Sequence, residues 1–198
     1  MNENETTKMK TKWNEVIRKT YEKSRKLGVP SIDLEDGYVL FSLAYLTALN
    51  LRKLNAIDAG AGVGFSTIWI VKALEASEVD GKIYAIEEDS RRFDGLRELV
   101  LNYKFQDKVI PIEGNALELI EGIKEEINFI FIDIDKHLYL DLFKLVKDKI
   151  QVGGLVLAHN VNHRWGTIEE FIEEASKDGW KTTIAPTPEG ISISFKVS

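Results

Sequence analysis

Three features of the chain hold residue types able to do chemistry. The first is the run Asp58-Ala59-Gly60-Ala61-Gly62-Val63-Gly64-Phe65-Ser66-Thr67, where glycine recurs at every second position. That spacing allows a tight turn and lets backbone approach a ligand closely. It is not the dinucleotide pattern G-x-G-x-x-G, because Phe65 stands where the last glycine would be, and no Gly-Lys-Ser/Thr follows to cradle phosphates. The second is Glu87, which ends the apolar run Ile83-Tyr84-Ala85-Ile86. An acid at a strand end can accept both hydroxyls of a ribose. Glu88 and Asp89 follow it, so strand register decides which acid takes that role, and either neighbour also suits a helix cap. The third is Asp58. Beside a pyrophosphate it would repel; beside a sulfonium and an ammonium it would attract. That contrast favours S-adenosylmethionine over a dinucleotide and disfavours a nicotinamide dehydrogenase.

These residues need a scaffold of strands and helices. Short apolar runs occur at 54–58, 83–87, 109–112, 127–133 and 154–159. They lack strict alternation, as strands covered on both faces do. Helical patterns lie between them, near 65–77, 90–104, 115–125, 136–150 and 167–178, with a further buried helix at 35–50. Thr167 and Glu170 form a capping-box pair. Strand–helix repetition of this kind predicts an α/β, doubly wound sheet. Its ligands bind at the carboxyl ends of the strands. The C-terminus changes period: Ile191, Ile193, Phe195 and Val197 alternate with polar residues. With Trp180–Ile184 before it and no helix between, this pair predicts an antiparallel hairpin at the sheet edge. Met9, Trp13, Val16, Ile17 and Tyr21 make an amphipathic helix over 9–27, stopped by Gly28 and Pro30. Residues 1–30 therefore read as a helical arm and 31–198 as the main domain.

Composition narrows the function. The 198 residues include no cysteine, which excludes a disulfide scaffold, thiol catalysis and Cys-based metal sites. The formal net charge is −6. The arm is basic and the body acidic, which argues against broad nucleic-acid binding. The start, MNENETTKMK, is too polar for a secretory signal, and the apolar stretch 38–49 is too short to span a bilayer. A cytoplasmic enzyme without membrane partners is expected.

With these residues in view, the chain resembles the class I S-adenosylmethionine-dependent methyltransferases. Within them it is similar to the small O-methyltransferases of the catechol and caffeoyl-CoA type and their microbial relatives. The likeness runs from about Leu34 to Lys196. It rests on Asp36-Gly37, on Asp58-Ala59-Gly60 through Gly64-Phe65-Ser66-Thr67, and on Ile86-Glu87. Glu113-Gly114-Asn115-Ala116, Phe131-Ile132-Asp133-Ile134-Asp135-Lys136, Gly153-Gly154-Leu155 through Asn160, and Glu189-Gly190-Ile191 continue it in order. The resemblance implies a Rossmann-like sheet of seven strands, mostly parallel with an antiparallel last strand, and helices on both faces. It implies that Gly60, Gly62 and Gly64 approach the methionine part of the cofactor and that Ser66 lies near its carboxylate. Glu87 would hold the ribose, Asn115 and Ala116 would flank the adenine, and Asp58 and Asp133 would border the cofactor. The implied activity is O-methylation of a small-molecule hydroxyl, and a homodimer is compatible with it.

The resemblance also assigns chemistry to Asp133 and Lys136: a divalent metal on the acid, a base in the lysine. A phenolic hydroxyl, with a pKa near 10, is a poor nucleophile at neutral pH, and a bound cation lowers that value. Here the sequence departs from the family. The fifth strand ends Ala158-His159-Asn160 where relatives carry Ala-Asp-Asn. Three readings are open: a metal softer than magnesium binds through Asp133, His159 and Asn160, no metal binds and His159 is the base, or His159 is a satisfied structural histidine. The following segment, Val161 to Gly166, is shorter than in relatives, which points to a more open pocket or a different acceptor; His163 and Trp165 stand near the right place to touch an acceptor. Two further readings stay open: a metal-independent methyltransferase acting on another acceptor, and a non-catalytic S-adenosylmethionine-binding module.

Overall fold

A computed structural model describes residues 3–162 and 166–198, with side chains from residue 12 onward. Helix α1 (Glu3–Leu27) leads into α2 (Leu34–Leu51), and strands and helices then alternate. They are β1 (Leu54–Ala59), α3 (Phe65–Ser77), β2 (Gly81–Glu87), α4 (Ser90–Asn102), β3 (Val109–Glu113) and the single turn α5 (Ala116–Leu119). After them come β4 (Ile127–Ile132), α6 (Tyr139–Val146), β5 (Ile150–His159), α7 (Gly166–Glu174), β6 (Trp180–Ala185) and β7 (Ile191–Lys196). The seven strands pair in the order β3-β2-β1-β4-β5-β7-β6. Only β7 runs against the others, paired antiparallel to β5 and to β6. The alternation in the last residues is therefore explained, with one refinement. The final strand is inserted beside β5, and β6 takes the edge. The chain order turns back between β1 and β4, which run parallel. Their carboxyl ends open the crevice where a doubly wound sheet binds ligands.

The apolar runs of β1 and β4 are buried along their whole length. One face of the sheet is covered by α1 to α4 and the other by α5 to α7, each with its own apolar core. The arm predicted from Trp13, Val16 and Tyr21 docks on its own domain. Trp13 is buried and stacks on Phe105 at 5.9 Å. The helix α1 begins at Glu3, earlier than its apolar stripe. Asp36 and Gly37 fall inside the first turn of α2, and a side chain on Gly37 would collide with the Trp69 indole at 2.2 Å, so glycine lets α3 cross closely. Two expected helices are shorter in the structure. Over 115–125 only α5 and a 3-10 turn form, and 136–150 becomes a 3-10 turn, α6 and the start of β5. The helix expected over 167–178 includes Gly166, so Thr167 lies within it rather than at its cap, and it ends at Glu174.

Polar side chains tie the opposite end of the sheet. Asn55 donates to the Glu126 carbonyl at 3.0 Å and accepts from the Lys82 amide at 3.2 Å. Asn128 accepts from the Asn55 amide at 3.1 Å and donates to the Lys53 carbonyl at 2.8 Å. These bonds fasten β1, β2 and β4 side by side where no ligand does so. Asn128→Leu leaves the Asn55 amide and the Lys53 carbonyl without these partners. Urea unfolding should show a loss of about 1–3 kcal/mol for it.

Candidate active site

A cleft of about 650 Å³ opens at the carboxyl ends of β1, β2 and β4. Its wall includes Gly60 and Gly62 after β1, Glu87 ending β2, Asn115 and Ala116 after β3, and Asp133 after β4. Lys136, His159 and Asn160 line the same cleft. Ser66 borders a small hollow beside it, of about 20 Å³. The chain thus gathers most residues singled out from sequence at one place.

Local geometry explains the glycine loop. Gly60 has φ +88°, and a Cβ there would meet the Asp133 carbonyl oxygen at 2.2 Å. The loop can leave β1 only by pressing its backbone against β4. The Gly60 and Ala61 amides donate to the Ile86 carbonyl, both at 3.0 Å, which fixes the turn on β2. Glu87 then closes it: one carboxylate oxygen accepts from the Gly62 amide at 2.7 Å, the other from the Asp89 amide at 2.9 Å. This buried carboxylate is oriented before any ligand arrives, and lone pairs remain for two hydroxyls. Register selects among the three acids. Glu87 is the last residue of β2 and points inward, whereas Asp89 caps α4 by accepting from the Arg92 amide at 2.9 Å.

Asp58 and Gly64 act one layer behind. Asp58 is fully buried and absent from the cleft wall; its carboxylate accepts from the hydroxyls of Ser66 at 2.8 Å and Thr67 at 2.5 Å. Burial, with the charges of Asp133 and Glu87, pushes its carboxyl up to about 7 against the opposing Thr67 and Ser66 hydrogen bonds. Its place is to pin the start of α3 rather than to touch a cationic ligand. Gly64 begins that helix from the left-handed region, φ +94°.

At the other end of the cleft lies a charged cluster. Asp133 accepts from Lys136 Nζ at 3.0 Å. The same ammonium reaches the Ile134 carbonyl at 3.3 Å and the Tyr139 hydroxyl at 2.7 Å. Tyr139 donates in turn to the His159 carbonyl at 2.9 Å, fixing the end of β5. The His159 ring sits between two carboxylates, Nε2 at 3.0 Å from Asp36 and Nδ1 at 3.5 Å from Asp133. Burial alone would lower the His159 pKa, but these two acids raise it to about 9. Burial likewise pushes Asp133 up, and His159 and Lys136 hold it below the usual carboxylate range.

The charge state has a measurable consequence. The folded His159 value lies above its ordinary 6.5, so its pairing contributes fully below that pH and is lost as pH rises through about 9. Thermal melts should show stability falling between neutral pH and about 9.5, and His159→Gln should flatten that decline.

S-adenosylmethionine fits this cleft. The volume suits a ligand of its size, Glu87 offers a fixed carboxylate for two hydroxyls, and Asp133 offers negative charge near the loop. A divalent metal does not fit. Both His159 nitrogens face carboxylates, and Asp133 already faces a lysine and a histidine. Asn160 turns its amide NH2 to Glu189 at 3.2 Å. Among the described residues, no three His, Cys, Asp or Glu side chains gather as a cation would need. The set Asp133, His159 and Asn160 expected for a softer metal is thus adjacent but differently engaged. His163 and Trp165 lie outside the described residues. Four contributors were missed from sequence: Asp36, Tyr139, Arg92 and the linker Val29–Asp33, parts of which wall the cleft. Pro30 in that linker read only as a helix stop.

Comparison with known proteins supports this geometry. Residues 57–161 match the methyltransferase domain family. The chain therefore belongs to that family, as a class I S-adenosylmethionine-dependent methyltransferase akin to the catechol and caffeoyl-CoA O-methyltransferases. A flavonoid 3',5'-methyltransferase of Vitis vinifera is 26% identical over 165 residues, covering 80% of this chain and 67% of that protein. A catechol O-methyltransferase of Niastella koreensis is 26% identical over 156 residues, covering 77% and 68%. The O-methyltransferase TomG of Streptomyces achromogenes, solved with S-adenosylmethionine, shares the fold at TM-score 0.79 and 19% identity, covering 93% of this chain and 90% of its own. No helix among the described residues is long and apolar enough to cross a membrane.

Proposed function

We propose that this enzyme methylates a hydroxyl oxygen of a small aromatic molecule of the catechol class, without a divalent metal. The observation that carries the reading is the ordered cleft. A ribose-holding carboxylate stands at one end, and a Lys136–Asp133–His159 cluster stands at the other. The catechol and flavonoid methyltransferases among its relatives support the substrate class.

S-adenosylmethionine supplies a methyl group on sulfonium sulfur: an O–CH3 bond forms as the S–CH3 bond breaks and its electron pair returns to sulfur. The chain's own residues do the rest. Gly60, Gly62 and Ser66 border the methionine end, Asn115 and Ala116 the adenine end, and Glu87 takes the ribose hydroxyls. His159, positively charged, faces the negative charge that develops on the acceptor oxygen. Lys136 gives its own proton to solvent before the acceptor's hydroxyl proton passes to it, and Tyr139 and the Ile134 carbonyl hold it in place in either state. The task that remains is alignment of oxygen, methyl and sulfur, which is a matter of positioning. The helical arm 1–30 is proposed as part of this catalytic unit, and the compartment as the cytoplasm.

The test is a methyl-transfer assay with labelled S-adenosylmethionine and a panel of catechols, in chelator. One monomethylated product per S-adenosylhomocysteine released is expected. Lys136→Ala should slow turnover at least ~100-fold, the general acid–base range, with S-adenosylhomocysteine affinity unchanged. Methylation of nitrogen acceptors but no hydroxyl, or activity only with added metal, would contradict the reading.

A further inference from the structure

Asp36 belongs to no part of the cofactor end, yet it is wholly buried against the chemistry. It lies in the first turn of α2, and its Oδ2 accepts from the Asp33 amide at 3.0 Å and faces His159 Nε2 at 3.0 Å. We infer that Asp36 is a positioning residue for methyl transfer. With Asp133 it holds His159 as the fixed cation of the acceptor site, in place of a divalent metal. The inference rests on the methyltransferase reading above.

The hydrogen-bond inventory carries it. An ionised carboxylate only accepts, and a neutral imidazole has one N–H and one bare nitrogen. Nε2 is hydrogen-bonded to Asp36 at 3.0 Å, Nδ1 lies 3.5 Å from Asp133 without a hydrogen bond, and a ring flanked by two carboxylates at these distances is favoured in its charged form. The cluster then balances, with Asp36 and Asp133 against His159 and Lys136. A dication at Asp133 would have to displace both of its cationic partners.

The two contacts of the ring are unequal. Nε2 is at full hydrogen-bond distance from Asp36, while Nδ1 at 3.5 Å from Asp133 lies beyond the ordinary range. The Nδ1 proton is thus the less engaged one, on the side of the acid that lines the cleft. An acceptor oxygen entering beside Asp133 can receive it. Asp36 fixes the ring from behind, so that this donor is already aimed before an acceptor binds. Phe131 lies at 6.2 Å from the His159 ring between centroids, and Tyr139 binds the His159 backbone carbonyl.

The experiment uses the full chain with 15N-labelled histidine, chelator-treated and saturated with S-adenosylhomocysteine. His159→Gln identifies the His159 ring signals. The expected spectrum at neutral pH has protons on both His159 nitrogens, and added Mn2+ leaves those signals unbroadened. In Asp36→Asn the proton affinity of His159 should fall at least tenfold, while S-adenosylhomocysteine affinity changes less than threefold. A singly protonated ring, broadening by Mn2+, or an unchanged ring in Asp36→Asn would overturn the inference. The Mn2+ arm on the unmodified chain decides even where Asp36→Asn fails to fold. Failure of S-adenosylhomocysteine to saturate the unmodified chain would instead count against the methyltransferase reading itself.

Discussion

Glu87→Ala should weaken S-adenosylhomocysteine binding by about 100- to 1000-fold, close to 3–4 kcal/mol. Two losses add. The ribose hydroxyls lose a charged acceptor, and hydrogen bonds to charged groups are worth roughly 1.5–3 kcal/mol each. The glycine loop also loses its latch, because the Gly62 and Asp89 amides donate to this carboxylate. Glu87→Gln separates the two. It keeps the size of the side chain but offers only one accepting atom, so one of the two amides must go without. An intermediate affinity for Gln is expected by calorimetry. Equal affinity of the Ala variant and the unmodified chain would remove Glu87 from the cofactor site.

Gly60→Val should abolish measurable cofactor binding and also cost stability of about 3–5 kcal/mol, the sum of a forced left-handed backbone and an overpacked contact. The reason is steric. A side chain at this position meets the Asp133 carbonyl oxygen at 2.2 Å, and that oxygen belongs to backbone that cannot swing away. The turn leaving β1 and the turn leaving β4 must then separate. Glu87 loses its partner on the loop, and Asp133 shifts from His159 and Lys136. Circular dichroism melts and calorimetry on the same sample report both effects. Full cofactor affinity in the valine variant would show that the loop does not depend on this close approach.

Most of the scaffold was legible because its signals are local. Strands buried on both faces need unbroken apolar runs, and β1 and β4 have them. The change to period two at Ile191 announced β7. That the glycine loop and the strand-end acid would meet in one cleft was legible for the same reason, because both are fixed by short-range backbone geometry. What the sequence hid depends on contacts between distant segments. Asp36 and His159 are 123 positions apart, and nothing near either one marks their pairing. Asp58 misled for a related reason. Its position beside the loop suggested contact with a cation, but its side chain turns inward to Ser66 and Thr67. The expectation of a softer metal followed from ligand chemistry at Asp133, His159 and Asn160. It placed Lys136 beside Asp133 but did not include Asp36, which faces His159 from the other side. The insertion of β7 between β5 and β6 is a choice of pairing partner, which alternation alone does not specify.

Calorimetric titration of S-adenosylhomocysteine into the chelator-treated chain, repeated with Mn2+ and Zn2+, decides whether the cleft takes S-adenosylmethionine without a metal. The predicted result is one binding site per chain with micromolar affinity, the same in all three conditions. Absence of binding in every condition would contradict the assignment of this cleft to S-adenosylmethionine. Binding that appears only with a metal would contradict the metal-free acceptor site.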